Sequence, residues 1–320
     1  MKSGQALVAA LDIGGTKIAG ALVGAEDGLL RHRTERPTPA REDGESVLAA
    51  LAAVLAELAA GPEWNRVKLI GLGSAGPVDA IRGTVSPVNI PGWRDFPVLA
   101  RVRELTGGLP AVLTGDGVAM TAAEHWRGAA RGYDNALCMV VSTGVGGGLV
   151  LGGALYPGPS GNAGHIGHIS VQLDGDPCPC GGRGCLEGLA SGTAITRHAL
   201  EAGWRPRADG ELDIAGAATA ITVAADARAG DRRALAAFAR AGQALAAGIA
   251  ATATLVELDV VVIGGGVALS GELLLGPLRA RLAEYATLSY VRGLRICSAE
   301  LGADAGLVGA AAAALWATER

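Results

Sequence analysis

One pattern that occurs twice constrains the fold of this chain more than anything else in it. Ala6 to Leu11 is an apolar run of strand length, followed by Asp12-Ile13-Gly14-Gly15-Thr16-Lys17 and a second apolar run from Ile18 to Val23. About half a chain later the design returns as Ala136 to Val141, the turn Ser142-Thr143-Gly144-Val145-Gly146-Gly147-Gly148, and Leu149 to Leu155. An internal repeat of strand, turn and strand implies two related lobes facing each other across a cleft. In such turns glycine lets backbone N–H groups come close to an anion, and Thr16 adds a hydroxyl donor. Asp12 stands at the mouth of the first turn, where a carboxylate can hold Mg²⁺ and its waters beside phosphates. Either turn alone reads equally well as an ordinary hairpin. The pair, one per lobe, suits a nucleoside triphosphate held between hinged lobes.

At 320 residues the chain is long enough for two domains with a core each. A formal net charge of −4 provides no broad basic field for a phosphate backbone, which argues against nucleic acid as the main partner. The longest apolar run, Ala244 to Val256, passes into Glu257 and Asp259 before it can span a bilayer. The N-terminal stretch MKSGQALVAALDIGG enters a strand pattern without an extended apolar segment or cleavage site. We therefore expect a cytoplasmic protein with no membrane partner. In that reducing compartment five cysteines, three of them clustered, favour metal over disulfides.

Between the turns, helices and strands alternate, which indicates an α/β architecture. Glu45 to Ala60 carries Val47, Leu48, Leu51, Val54, Leu55 and Leu58 at helical spacing and is stopped by Gly61-Pro62. Val67 to Leu72 is a strand that ends in GSAGPVD, and Ser86 to Trp93 is a shaped loop around Asn89. Asn89 suits a sugar hydroxyl, or else satisfies its own turn. Ala111 to Leu113 is a strand end, followed by Thr114-Gly115-Asp116-Gly117 and a helix from about Val118 to Arg127. A long helix is expected from Arg232 to Val256. Leu258 to Ile263 is a further strand, ending in Gly264-Gly265-Gly266. Bare backbone there can let a flat adenine ring lie close, or simply make a tight turn into the next helix.

The segment 164–187, GHIGHISVQLDGDPCPCGGRGCLE, is chemically the densest in the chain. His168, Cys178, Cys180 and Cys185 follow the spacing H-x9-C-x-C-x4-C, four ligands able to close a tetrahedron around Zn²⁺. Gly181, Gly182 and Gly184 let the chain curl tightly enough to aim three sulfurs at one point. Reduced spectator thiols, or a disulfide with a spare, are the competing readings. With four protein ligands no position is left for a water, so the expected zinc is structural. Cys138 and Cys297 sit in apolar strand contexts and are expected in the core.

LDIGGTKIAGALV, GLGSAGPVD, VNIPGW, VSTGVGGGLVLGGALY, the zinc block running on through CLEGLASG, and VVIGGGV resemble, in order, the signature blocks of the ROK family of sugar kinases and repressors. The match covers nearly the whole chain, and the zinc block followed by CLE and ASG is specific to that family. The resemblance implies an α/β, two-lobed actin-like (ribonuclease H-like) fold with a duplicated βββαβαβα core and the active-site cleft between the lobes. It implies ATP with Mg²⁺, a structural Zn²⁺, transfer of the γ-phosphoryl group to the 6-hydroxyl of a hexose or N-acetylhexosamine, and a homodimer or homotetramer. Residues 1–116 would form the first lobe and 117–300 the larger second lobe, with the zinc segment 164–187. Residues 301–320 would form a C-terminal helix packing back on the first lobe.

Residue by residue, the resemblance makes Asp116 the general base, able to accept the sugar hydroxyl proton as phosphoryl transfers in line. Asp12, Gly14, Gly15, Thr16 and Lys17 match the first phosphate block, Thr143 and Gly144 the second, and Gly264, Gly265 and Gly266 the nucleotide-side glycines. Gly76, Asn89, His165, His168 and Glu187 fall with Asp116 on the sugar side. Two positions depart from the family pattern. The asparagine before the catalytic aspartate is Gly115, and the glutamate of the E-I-G-H segment is His165. A-G-H-I-G-H is similar to the N-acetylmannosamine kinases of the family, and a neutral histidine can donate to an N-acetyl carbonyl where a carboxylate would accept from hydroxyls. N-acetylmannosamine is thus the first expected substrate, followed by glucose and other hexoses. The family's repressors carry a helix-turn-helix domain ahead of the first phosphate block, and only eleven residues precede Asp12. A sugar-binding regulator without catalysis is the remaining alternative, prompted by Gly115.

Overall fold

The computed structural model describes residues 5–207 and 217–318. The first lobe is built on strands β1 (Leu7–Ile13), β2 (Lys17–Gly24), β3 (Leu30–Pro37), β4 (Val67–Ser74) and, after a short hairpin of β5 (Val78–Asp79) and β6 (Thr84–Val85), β7 (Ala111–Gly115). The sheet order is β3-β2-β1-β4-β7, with β1 antiparallel to β2 and parallel to β4. β1 reads as nearly continuous apolar sequence because both its faces are covered. Leu7, Ala9, Leu11 and Ile13 share a core with helix α1 (Gly44–Ala59), whereas Val8 and Ala10 point to the opposite face. Asp43 caps α1 by accepting from the Ser46 N–H at 2.8 Å, and the six residues expected from helical spacing are the six it buries.

The second lobe repeats this plan. β8 (Ala136–Val141), β9 (Val145–Leu151), β10 (Ala154–Tyr156), β11 (Val260–Gly264) and β12 (Arg295–Ser298) form a sheet of order β10-β9-β8-β11-β12 with the same pattern of antiparallel and parallel pairs. The remaining helices are α2 (Val98–Leu105), α3 (Asp116–Arg127), α4 (Glu187–Ala190), α5 (Gly192–Glu201), α6 (Ala220–Arg228), α7 (Arg232–Val256), α8 (Glu272–Tyr285) and α9 (Ala305–Thr318). Two copies of βββαβαβα therefore make a two-lobed, actin-like molecule. α7 has the length and hydropathy to cross a bilayer, but it packs against α4, α5, α6 and α8 and buries Phe238, Leu245 and Ile249 in the second core.

The lobes are joined by an exchange of helices. α3 leaves the first sheet and lies on β8 and β9 of the second, whereas α9 leaves the second sheet and lies on β1, β2, β4 and β7 of the first. The two helices also pack on each other, with Gly309 pressed on the Ala119 backbone so closely that no side chain fits there. This explains a difference from the sequence expectation for the second turn. Gly146, Gly147 and Gly148 are not turn residues; they lie in β9, paired with Val140, Met139 and Cys138. A side chain at Gly148 would stand 2.6 Å from Thr121 Oγ1 and 3.0 Å from the Gly117 carbonyl, so that glycine admits α3. The turn itself is Ser142-Thr143-Gly144 alone. α3 likewise starts two residues earlier than expected, at Asp116, because β7 runs on to Gly115 and the Asp116 carboxylate accepts the Gly117 N–H at 2.7 Å.

Candidate active site

The first turn closes with the Gly14 N–H donating to the Lys17 carbonyl at 3.0 Å, so that donor is spent inside the hairpin. The N–H groups of Gly15 and Thr16 have no partner among the described residues. Thr38 steadies the turn from outside, its N–H on the Thr16 carbonyl (3.0 Å) and its hydroxyl on that of Gly14 (2.7 Å). Lys17 does not reach into the cleft in this arrangement; it pairs with Glu35 at 3.2 Å on the exposed side of the sheet. Asn89 lies over Gly15, its amide filling the space a side chain there would need, and it hydrogen-bonds none of the described residues. Its loop is held in shape by Trp93, stacked on Phe96 at 4.5 Å, and by Arg94, whose guanidinium donates to the carbonyls of Pro87, Ile90 and Trp93.

Asp12, at the end of β1, and Asp116, at the start of α3, lie close enough for their charges to repel. Burial raises the Asp12 carboxyl from 3.8 to about 6, with repulsion from Asp116 adding to the rise and Lys17 and Arg33 opposing it. Asp12 also lies against Gly306 in the first turn of α9, where a side chain would collide with its carboxylate. Asp116 is open to solvent at its tip yet crowded by protein around it. That crowding pushes its carboxyl up, against the Gly117 N–H and the nearby His165, which pull it down. His165 in turn backs onto Gly76: its Cε1 would lie 3.5 Å from a side chain placed there. The His165 ring stacks beside that of His168, with centroids 5.9 Å apart. Asp12, Asp116, His165, Gly76 and His168 thus form one continuous surface drawn from both lobes.

His168 ends the short turn Ile166–His168, which packs on β9. Its Nδ1 lies 3.8 Å from Cys178 Sγ, Cys180 Sγ lies 3.7 Å from Cys185 Sγ, and the four donor atoms fall within 4.8 Å of one another. Ligands on a tetrahedral Zn²⁺, with Zn–S near 2.3 Å and Zn–N near 2.0 Å, are separated by about 3.5 to 3.8 Å, so the cluster has the size and chemistry for zinc. The Gly182 N–H holds the Cys180 thiol down, whereas burial and the neighbouring thiols push Cys185 up to about 12. Of the other cysteines, Cys138 is buried in β8 and Cys297 half-buried in β12.

Immediately after Cys185, Glu187 opens α4 and its Oε2 accepts the Val145 N–H at 2.9 Å, against Gly144. The second turn therefore has a carboxylate built into its base. Ser142 donates its N–H to the Gly144 carbonyl (2.9 Å) and accepts that of Gly192 (2.7 Å), and Thr193 Oγ1 donates to the Thr143 carbonyl (3.1 Å). Behind this turn is a cavity of about 860 Å³, lined by Thr143, Thr193, Arg197, Ile221, Gly266 and Leu269 among others. Only the last of the three expected glycines reaches it. Gly264 is the buried last residue of β11, where a side chain would stand 2.8 Å from Ala299 and 3.0 Å from Met120, and Gly265 (φ +94°) makes the turn against the Val141 backbone.

The family model for the ROK family matches residues 8–318. The chain belongs to the ROK family. It is 36% identical over 306 residues to a glucokinase of Thermotoga maritima (94% of this chain, 95% of the relative), and 38% identical over 309 residues to an N-acetylmannosamine kinase of Yersinia pseudotuberculosis (96% and 97%). It superposes with a TM-score of 0.80 and 34% identity on a ROK family glucokinase from Streptomyces griseus crystallised with glucose and AMPPNP, covering 96% of this chain and 99% of that one. Those relatives carry the names of sugar kinases of two substrate types, glucokinase and N-acetylmannosamine kinase.

Thr38, Arg94, Thr193 and Arg197 are not marked in the sequence as parts of this ROK site. Thr193 had a local signal, since Ser191 before it is a helix N-cap that accepts the Ala194 N–H. Thr38 and Arg94 bond backbone carbonyls across loops, and no periodicity announces such contacts.

Proposed function

We propose that this ROK protein is an ATP-dependent kinase that phosphorylates the 6-hydroxyl of a hexose, with N-acetylmannosamine as first candidate. The observation that carries the reading is the pair Asp12 and Asp116, set where the lobes meet and next to the first turn, whose Gly15 and Thr16 N–H groups have no partner among the described residues. Asp116 accepts the proton of the sugar hydroxyl as the new O–Pγ bond forms and the bond from Pγ to the β-bridging oxygen breaks. Its raised pKa brings it nearer the range in which a carboxylate is an effective base. Asp12 would hold Mg²⁺, whose charge would offset that of the β- and γ-phosphates. The N–H groups of Gly15, Thr16, Thr143 and Gly144 receive phosphate oxygens, and the base occupies the cavity beside Gly266.

Gly76, Asn89, His165, His168 and Glu187 line the sugar side. His168, Cys178, Cys180 and Cys185 would hold a structural Zn²⁺, which would fix the turn that carries both histidines. His165, a donor where a glucose site would want an acceptor, supports an N-acetylated sugar. Glucose is the second reading, supported by the glucokinase relatives. Sugar-dependent ADP release over N-acetylmannosamine, N-acetylglucosamine, glucose, mannose and allose tests both. The expected result is turnover on a 2-acetamido sugar at the highest kcat/KM; absence of turnover with every sugar would sink the kinase.

A further inference from the structure

The loop 157–163, between β10 and the turn that carries His165, is tied to the first lobe by one side chain. Asn162 Nδ2 donates to the Val78 carbonyl at 2.7 Å, and its Oδ1 accepts the Val78 N–H at 3.2 Å. A primary amide is the side chain that can answer both groups of a single residue, so Asn162 stands in for a neighbouring strand along β5. One further backbone bond, from the Ala80 N–H to the Ser160 carbonyl at 3.1 Å, completes the seam. Between them Gly161 (φ +91°) folds over Ala80 and Val78, in a left-handed conformation that a side chain would strain. The Gly161 carbonyl lies 3.7 Å from where a side chain on Gly115, the residue before Asp116, would stand.

The position of this clasp in the chain gives it significance. Gly76 lies two residues before Val78 on one lobe, and His165 three residues after Asn162 on the other, and these two are in contact across the cleft. We propose that Asn162 is a positioning residue: it fastens the second lobe's loop to β5 and so holds the two halves of the sugar site in register. This rests on the kinase reading for its catalytic consequence, but not for the clasp itself. Nothing in the loop approaches the nucleotide cavity, so its loss acts on the sugar and spares ATP.

The test compares the full-length protein with N162A and N162D, each verified to retain zinc. N162D keeps the volume and the acceptor for the Val78 N–H but has no donor for the Val78 carbonyl, which separates the clasp from a cavity effect. Steady-state kinetics use ATP and whichever sugar of the panel the wild type turns over, and hydrogen exchange reads the Val78 amide. In both variants KM for sugar should rise about tenfold, the worth of one to two net hydrogen bonds, with KM for ATP moving less than about twofold. Exchange at Val78 should accelerate in N162A. An unchanged sugar KM in both variants, or sugar and ATP KM rising together, overturns the positioning role. Should the wild type phosphorylate no sugar, the kinase reading fails and Val78 exchange decides the clasp alone: protection unchanged in N162A overturns it.

Discussion

Replacing Asp12 by asparagine should stabilise the nucleotide-free protein near neutral pH while removing its activity. The carboxyl titrates at about 6 in the folded chain against 3.8 in the reference state, raised by burial and then by Asp116. A shift of about two units corresponds to about 3 kcal/mol, and partial solvent access in the cleft reduces this to about 1–3 kcal/mol. Below 3.8 the carboxyl is protonated in both states and contributes nothing. As pH rises from 3.8 to about 6 the unfolded chain ionises first, so stability is lost through that window and the deficit persists above it. Urea denaturation of wild type and D12N, near neutrality and at the bottom of the window, measures the difference. We expect D12N to be ahead by about 1–3 kcal/mol near neutrality, with the gap closing at low pH. Saturating Mg²⁺ and nucleotide should reverse the order, because only the wild type gains full binding energy from the metal. A D12N protein less stable than wild type near neutrality, or a gap independent of pH, would refute the reasoning.

Asp116→Asn should lower kcat by about 10²–10⁴-fold with little change in the binding of ATP or sugar by calorimetry, since only the proton acceptor is lost. Retained turnover would remove Asp116 from that role. Stripping zinc with a strong chelator should weaken sugar binding before nucleotide binding, because ordering of residues 168–185 is coupled to the metal. Equal sugar affinity in verified metal-free protein would contradict it. His165→Glu should shift preference from N-acetylmannosamine toward glucose by about tenfold or more in relative kcat/KM, the scale of one hydrogen bond reversed in polarity. An unaltered ratio would show that residue 165 does not read the sugar.

Much of the fold is legible in the sequence because it is encoded locally. β1 and β8 announce themselves as apolar runs, α1 by the spacing of Val47 to Leu58, and the zinc cluster by ligands that need no long-range contact to meet. Glycine is harder to read, because one residue type serves different purposes. Gly15 leaves its N–H unpaired, Gly148 admits a helix and Gly265 turns the chain, and only packing distinguishes them. Contacts between lobes are the least legible. That Asp12 and Asp116 share a field, or that Asn162 answers Val78 across 84 positions, depends on how two sheets and two exchanged helices come together.

Glu187 shows how those separate parts act on one another. It follows Cys185 of the histidine–cysteine cluster by two residues, and its Oε2 accepts the Val145 N–H at the base of the second turn. Arg197 makes a parallel connection, donating to Asp176 in the cluster's loop at 3.1 Å and to the Gly188 carbonyl at 2.8 Å while lining the cavity of about 860 Å³. The segment 168–185 is thus connected to the second turn through the Glu187 carboxylate and to the cavity through the Arg197 guanidinium. All three bonds involve a charged group, and such bonds hold position more firmly than neutral pairs. A metal bound by His168 and the three cysteines would therefore do more than order its own loop: it would fix the distance between the turn that carries His165 and His168 and the second turn. In-line transfer requires that distance to be fixed before the reaction begins.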